Sequence, residues 1–144
     1  MADSLQGVTL RDVPLDGRPF RSFPVGAGLA ELLEGLSGDA RQEVYPVLDG
    51  SRLVGIITLE DLIGLASQPH LAGVVNAADV MRPPITLRQR DDVRVAFEAM
   101  LAQGVRELPA TDETGAIIGF VDETSIAHAY MAARGKASTH QAPS

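Results

Sequence analysis

The chain has 144 residues and a mass of 15.2 kDa, enough for one domain with a real core or two very small ones fused. An apolar fraction of 45% with 22% charged residues excludes wholesale disorder, collagen and coiled coil, and 4% aromatics without Trp demand an aliphatic core. The absence of cysteine excludes disulfides, thiolate metal sites, thiol nucleophiles and iron–sulfur chemistry, and a net charge of -7 argues against a general nucleic-acid surface. Eleven of the twelve basic residues are Arg and one is Lys. No window approaches the roughly 20 apolar residues of a membrane helix. Met1-Ala2-Asp3-Ser4 has neither the basic nor the apolar region of a secretory signal, so the chain reads as soluble as it stands.

In chain order, Phe20 to Phe23 reads as a short extended run, because Pro19 and Pro24 discourage helix. Leu29, Leu32, Leu33 and Leu36 follow at i, i+3, i+4, i+7, one apolar helical face, weakened by Gly35 and ended by Gly38. Val44 to Leu48 reads as a strand, Asp49-Gly50 as a turn, and Leu53 to Thr58 as a second strand buried on both sides. Leu59, Leu62, Ile63 and Ala66 open another amphipathic helix. Ala77 to Met81 is a short helical lead-in stopped by Pro83-Pro84, and Ile85 to Arg88 reads as a strand. Asp92 to Gln103 is a helix with carboxylates at its N-terminus and Gly104 at its stop. Strands over Glu107 to Thr111 and Ala116 to Val121, with a turn at Asp112 to Gly115, precede a last helix from Glu123 to about Arg134.

This order is a duplication. At an offset of 64, Leu29, Leu32, Leu33 and Leu36 fall on Val93, Ala96, Phe97 and Met100, Gly55 falls on Gly119, Ile56 on Phe120 and Leu62 on Ile126. Tyr45-Pro46 meets Leu108-Pro109 at offset 63, and Asp49 and Asp112 each stand three residues after those prolines. Two units of roughly 60 residues, each too small to be comfortable alone, are expected to share a core.

Three groups of residues carry a family resemblance: Tyr45-Pro46-Val47-Leu48-Asp49 with Leu53-Val54-Gly55-Ile56-Ile57-Thr58-Leu59-Glu60-Asp61-Leu62; Asp79-Val80-Met81; and Leu108-Pro109-Ala110-Thr111-Asp112 with Ile117-Ile118-Gly119-Phe120-Val121. Through them, over about residues 8–134, the chain resembles a tandem pair of CBS domains, or Bateman module. The resemblance implies an α/β (α+β) fold of two β-α-β-β-α repeats packed as a pseudo-two-fold symmetric pair. Repeat 1 would span 8–66, a linker 67–76, repeat 2 77–134 and a flexible tail 135–144. It further implies a non-catalytic regulatory module that forms a homodimer. Ala78 to Pro84 and Gly104 to Pro109 are similar to the cytoplasmic C-terminal CBS pair of bacterial chloride channel and transporter proteins. That implies a domain on the cytoplasmic face, excised from a parent in the inner membrane, whose transport domain is its partner. The alternatives are a structural dimerisation module without ligand, and a stand-alone or enzyme-associated CBS regulatory protein.

The family's site signature is Gly, two apolar residues, Thr or Ser, two residues, Asp. It is intact as Gly55, Thr58 and Asp61. Gly admits a close backbone approach. A Thr hydroxyl and free N–H groups at a helix start suit a phosphate, and a carboxylate on the first turn accepts bonds from ribose hydroxyls. The same residues read on their own are a helix cap and a first-turn acid. The resemblance places Pro84, Ile85, Val105, Arg106 and Leu108 on the partner wall and implies AMP, ADP, ATP or a related adenosyl ligand, with no obligatory cofactor. In the second repeat Gly119 is kept, but Asp122 replaces Thr and Ser125 replaces Asp, so that cleft, walled by Phe23, Pro24 and Tyr45, is expected to reject an anion. His70, His128 and His140 lack ligand spacing, and Ser125 and Asp122 lack a histidine base, so neither a metal site nor hydrolysis is expected. Met81, Met100 and Met131 read as core or interface filler, and the adjacent pairs Glu60-Asp61 and Asp91-Asp92 diverge on a helix rather than converge for acid–base work.

Overall fold

A computed structural model describes residues 7–37 and 42–141, with side chains as far as residue 135. Gly38 and the side chain of His140 lie outside them. In the first repeat β1 (Phe23–Pro24) runs parallel to β2 (Val44–Asp49), which pairs antiparallel with β3 (Arg52–Thr58). In the second, β4 (Glu107–Thr111) pairs antiparallel with β5 (Ile117–Asp122). The helices are α1 (Leu29–Leu33), α2 (Leu59–Ala66), α3 (Ala77–Val80), α4 (Val93–Gln103) and α5 (Glu123–Gln141).

The turns form where the sequence places them. Gly50 closes the β2–β3 hairpin at φ 65°, and Gly104 ends α4 in the left-handed region at φ 69°. Both are conformations that a Cβ disfavours. At the second hairpin Asp112 Oδ1 accepts the Thr114 and Ala116 N–H groups and the Thr114 hydroxyl, which fixes the longer loop.

The β2–β3 hairpin is a wall between two cores. Tyr45, Val47 and Ile57 pack with Phe23, Leu29, Leu32, Leu62 and Leu65, whereas Val44, Leu53 and Ile56 pack with Val93, Ala96, Met100, Leu108, Phe120 and Ile126. Alternation along a strand assigns the faces. A bulge where the register passes from Val47–Gly55 to Leu48–Leu53 reverses the parity of β3 and lets Leu53 and Ile56 share a face.

The lead-in segments cross over. Val8, Leu10 and Val13 lie in the core of the second repeat, with Leu10 N–H donating to the Asp91 carbonyl and Val93 N–H to that of Val8. Ala77 lies in the core of the first, donating to the Ala27 carbonyl. Asp16 bridges Phe120, and Arg82 bridges Ile56, so each lead-in lies along the last strand of the other repeat.

Four expectations are corrected. The extended run at Phe20 to Phe23 is a two-residue strand at Phe23–Pro24, because Pro24 lacks a donor and Val25 N–H makes the next bond, to the Leu48 carbonyl. The strand at Ile85 to Arg88 is a single parallel bridge, Leu87 to Ala110, since Pro83 and Pro84 remove the donors before it. The Leu29 helix tightens to a 3-10 turn over Glu34–Ser37, which rotates Leu36 out to solvent. Gly35 sits where a Cβ would stand 3.0 Å from the Phe23 ring. Helix α5 continues past Arg134 to Gln141, because Gly135 costs only about 1 kcal/mol and no proline interrupts it.

Candidate functional site

Thr58 ends β3 and caps α2. Its hydroxyl accepts the Asp61 N–H at 3.1 Å, and the Asp61 carboxylate accepts the Thr58 N–H at 3.1 Å, a reciprocal capping box. The box fixes both side chains at the N-terminus of α2. Thr58 is 2% exposed.

Arg82, from the segment after α3, closes over this pair. Its Nε donates to Asp61 Oδ2 at 3.0 Å and its Nη2 to Oδ1 at 2.9 Å, with Nη2 also 3.3 Å from the Thr58 hydroxyl. Nη1 donates at 3.1 Å both to the Gln103 carbonyl and to Gln103 Oε1, at the end of α4. One guanidinium thus joins the start of α2 to the end of α4 across the repeat boundary. Burial pushes the Asp61 carboxyl up, but hydrogen bonds from Arg82 and Thr58 and the Arg82 charge outweigh it and hold the group below its ordinary range. The bond to Asp61 likewise holds Arg82 above its ordinary value, against partial burial.

A cavity of about 200 Å³ lies beside Thr58, lined by Glu43, Leu59, Glu60, Ile63, Gly104 and Val105. It is smaller than the roughly 300 Å³ at which ligand pockets begin. The structure therefore brings together Thr58 and Val105 in one cavity, with Asp61 alongside through the cap. The other expected members lie elsewhere. A Cβ on Gly55 would collide with the Met81 thioether and stand 2.9 Å from the Arg82 carbonyl oxygen, so this glycine admits the protein's own backbone. Pro84 lines a different cavity, of about 300 Å³, with Arg52, Thr86 and Arg88 at the hairpin ends. Ile85 is half-buried against the second core, Leu108 is buried in it, and Arg106 is exposed. Sequence reasoning missed Arg82, Gln103, Glu43 and Glu60. Arg82 carried one signal, its place in the Met81-Arg82-Pro83-Pro84 run, whereas the others are ordinary polar residues until the fold assembles them.

The second cleft is built from the same positions and filled differently. Asp122 accepts the Ser125 N–H at 2.7 Å, capping α5. A Cβ on Gly119 would stand 2.9 Å from Leu15 Cβ. Arg18 pairs with Asp16 at 3.1 Å and with Glu107, and lies over the Phe120 ring. Phe20 meets that ring edge-on at 5.3 Å. Phe23 and Tyr45 are not cleft wall: they stack at 5.6 Å inside the first core, with the Tyr45 hydroxyl donating to the Gly35 carbonyl at 3.1 Å. Their correction follows from β1, whose two residues turn one ring inward and leave only Pro24 exposed. Among the described residues no group of three or more His, Asp or Glu is placed to hold a metal ion, and no helix is long and apolar enough to cross a membrane.

Two pseudo-equivalent units, exchanged lead-ins and a capped Gly-x-x-Thr-x-x-Asp turn define a pattern that a sequence profile of the CBS domain matches at residues 10–67 and 77–132. The chain belongs to the CBS domain family, as a tandem pair. An uncharacterized protein of Methanopyrus kandleri is 40% identical over 70 residues, which is 47% of this chain and 36% of that protein, so the match spans about a third of the relative. The CBS pair also superposes on CBSX2 in complex with AMP, with a TM-score of 0.67, 24% identity and coverage of 89% of this chain and 99% of that one. The CBS domain of a bacterial CNNM/CorC family Mg2+ transporter in complex with ATP gives a TM-score of 0.66 at 19% identity, covering 89% and 90%. These likenesses show the shared fold.

Proposed function

We propose that this CBS pair is a non-catalytic regulatory module that senses an adenine nucleotide in the cleft at Thr58 and Asp61. The observation that carries the reading is the capping box. It holds a hydroxyl and a carboxylate at the N-terminus of α2, opposite Gly104 and Val105 of the other repeat, with a cavity between. A ligand bridging the two repeats favours one relative placement of them, and its differential affinity is what it can transmit. The complexes of the structural neighbours with AMP and ATP support the ligand class. Of the expected lining, Val105 stands in the cavity, while Arg106, on the next position, is exposed and within the same loop. The receiving partner is a membrane transport domain of the same parent polypeptide, which the module meets at the cytoplasmic face. The likeness of Ala78 to Pro84 and Gly104 to Pro109 to chloride transporters and the fold shared with a Mg2+ transporter domain both support a transporter.

The test is calorimetric titration with AMP, ADP and ATP, with and without magnesium, because Glu43 and Glu60 repel unshielded phosphate. Saturable binding near one site per chain, weakened at least about ten-fold by Asp61→Ala through loss of bonds to a charged acceptor, is expected. Absence of heat and of thermal stabilisation at millimolar nucleotide favours the second reading, a dimerisation scaffold. The packing of Arg18, Phe20 and Leu15 into the second cleft is the observation on that side.

A further inference from the structure

We propose that Arg82 is a latch on the nucleotide cleft, an internal cation that a ligand must displace, and that it makes the cleft select ligands bearing an anionic group over neutral nucleosides. The inference rests on the reading of Thr58 and Asp61 as the ligand site. A carboxylate offers about four lone-pair positions. Three of those on Asp61 are taken: Oδ2 accepts the Thr58 N–H and Arg82 Nε, and Oδ1 accepts Arg82 Nη2. A ribose diol donating two bonds needs two positions, so at least one resident bond must break. The Thr58 N–H belongs to the helix cap and the main chain. The arginine side chain is the member that can turn away.

The displaced guanidinium leaves a site where it is only 31% exposed, beside a carboxylate that is 26% exposed. Turning away, it gives up its neutral acceptors on Gln103 together with its anion. Glu60 is the remaining carboxylate whose charge reaches it. A neutral nucleoside offers no replacement, whereas a phosphate presents oxygens matched to the arginine fork. The second cleft has no equivalent exchange, since Ser125 stands at the carboxylate position and Arg18 is bound to Asp16 and Glu107.

The experiment is calorimetric titration of the full chain with adenosine, AMP and ATP, for the wild type, Arg82→Ala, Arg82→Lys, Gln103→Ala and Asp61→Ala, each checked by its thermal melt. The wild type is expected to prefer a phosphorylated ligand over adenosine. In Arg82→Ala adenosine tightens and the preference collapses by about ten-fold or more, the scale of bonds to a charged group. Arg82→Lys keeps the charge without the fork and retains part of the preference. Gln103→Ala loosens the latch without touching Asp61 and shifts the preference the same way, which keeps the test open if Arg82→Ala does not fold. Adenosine binding that appears only in Arg82→Ala also supports the latch. An unchanged preference in Arg82→Ala and Gln103→Ala, while Asp61→Ala abolishes binding, overturns the latch and leaves the site standing. No binding by any ligand to the wild type or to Arg82→Ala overturns the site reading and the latch with it.

Discussion

Arg82 and Asp61 set the energetics of the cleft before any ligand arrives. Each is about two-thirds to three-quarters shielded, and five hydrogen bonds tie the guanidinium to two helices. Bonds to charged groups are worth about 1.5–3 kcal/mol in mutational series, and partial solvent screening lowers that, so Arg82→Ala is expected to cost about 1–2 kcal/mol. Urea unfolding checks it. The pH dependence has a definite sign. The folded Asp61 carboxyl sits below its unfolded value, so its contribution is complete above the unfolded pKa of about 3.9. It is lost as pH falls through the depressed folded value. Asp61→Asn, which cannot ionise, is therefore expected to lie closest to the wild type at the acid end of a pH series and furthest from it near neutrality. An equal gap at every pH would refute the ion pair as a stabiliser. The chemistry of Thr58 and Asp61 is legible in the sequence because a capping box is local, its partners three positions apart. Arg82 is 21 positions from Asp61 and 21 from Gln103, and only the tertiary fold announces that pairing.

At the level of elements, two buried features hold the strands in register. Glu107, 5% exposed at the start of β4, accepts the Glu43 N–H at 2.9 Å and the Val44 N–H at 3.4 Å, and pairs with Arg18. It ties β4 to β2 across the two repeats. Glu107→Ala leaves two backbone donors without their acceptor and Arg18 with Asp16 alone, and is expected to cost about 2–4 kcal/mol, while Glu107→Gln, which keeps a carbonyl oxygen for the donors, is expected to cost about half as much. Chemical denaturation of the two variants separates them, and equal losses would assign the effect to the charge alone. Gly55 is the second feature. A Cβ there is overpacked against Met81 and the Arg82 carbonyl, so Gly55→Ala is expected to cost about 1–3 kcal/mol and to loosen the Ile56–Arg82 bridge. Hydrogen exchange at the Arg82 and Ile56 amides, which bond one another's carbonyls, reads that directly. The elements legible in the sequence are those with strong local patterns: the Asp49-Gly50 hairpin, the Gly104 stop, the apolar run of β3. Ile85 to Arg88 is the opposite case: its sequence reads as a full strand, but the segment makes a single bridge, Leu87 to Ala110, because how far it pairs depends on the sheet it joins. The crossing of the lead-ins is not legible, since Val8 and Leu10 carry no mark of which core they enter.

The whole molecule has apolar surface that a single chain leaves uncovered. Phe97 and Leu101 on α4 and Met131 on α5 are 41%, 67% and 67% exposed, and Val93, Phe97, Ile126, Ala127 and Tyr130 line a groove between those helices. Ile63, on α2 of the other repeat, is 58% exposed. Water contact along these faces is unfavourable by about 25 cal/mol per Å², and a patch of this kind marks an interaction surface more often than a free one. A second copy is the occupant that the homodimer implied by the family resemblance requires. A charge placed in that face would be buried without a partner on association and solvated in the monomer. Leu101→Glu with Met131→Glu is accordingly expected to raise the dimer dissociation constant at least about a hundred-fold, because each unpaired buried carboxylate opposes assembly by several kcal/mol. The isolated fold should be spared, because neither side chain belongs to a core cluster. Sedimentation equilibrium of the wild type and the double variant decides the matter. A wild type that stays monomeric at high micromolar concentration removes the homodimer. A variant that dimerises as the wild type does moves the interface to the face that carries Ile63, where Ile63→Glu is the next substitution to test.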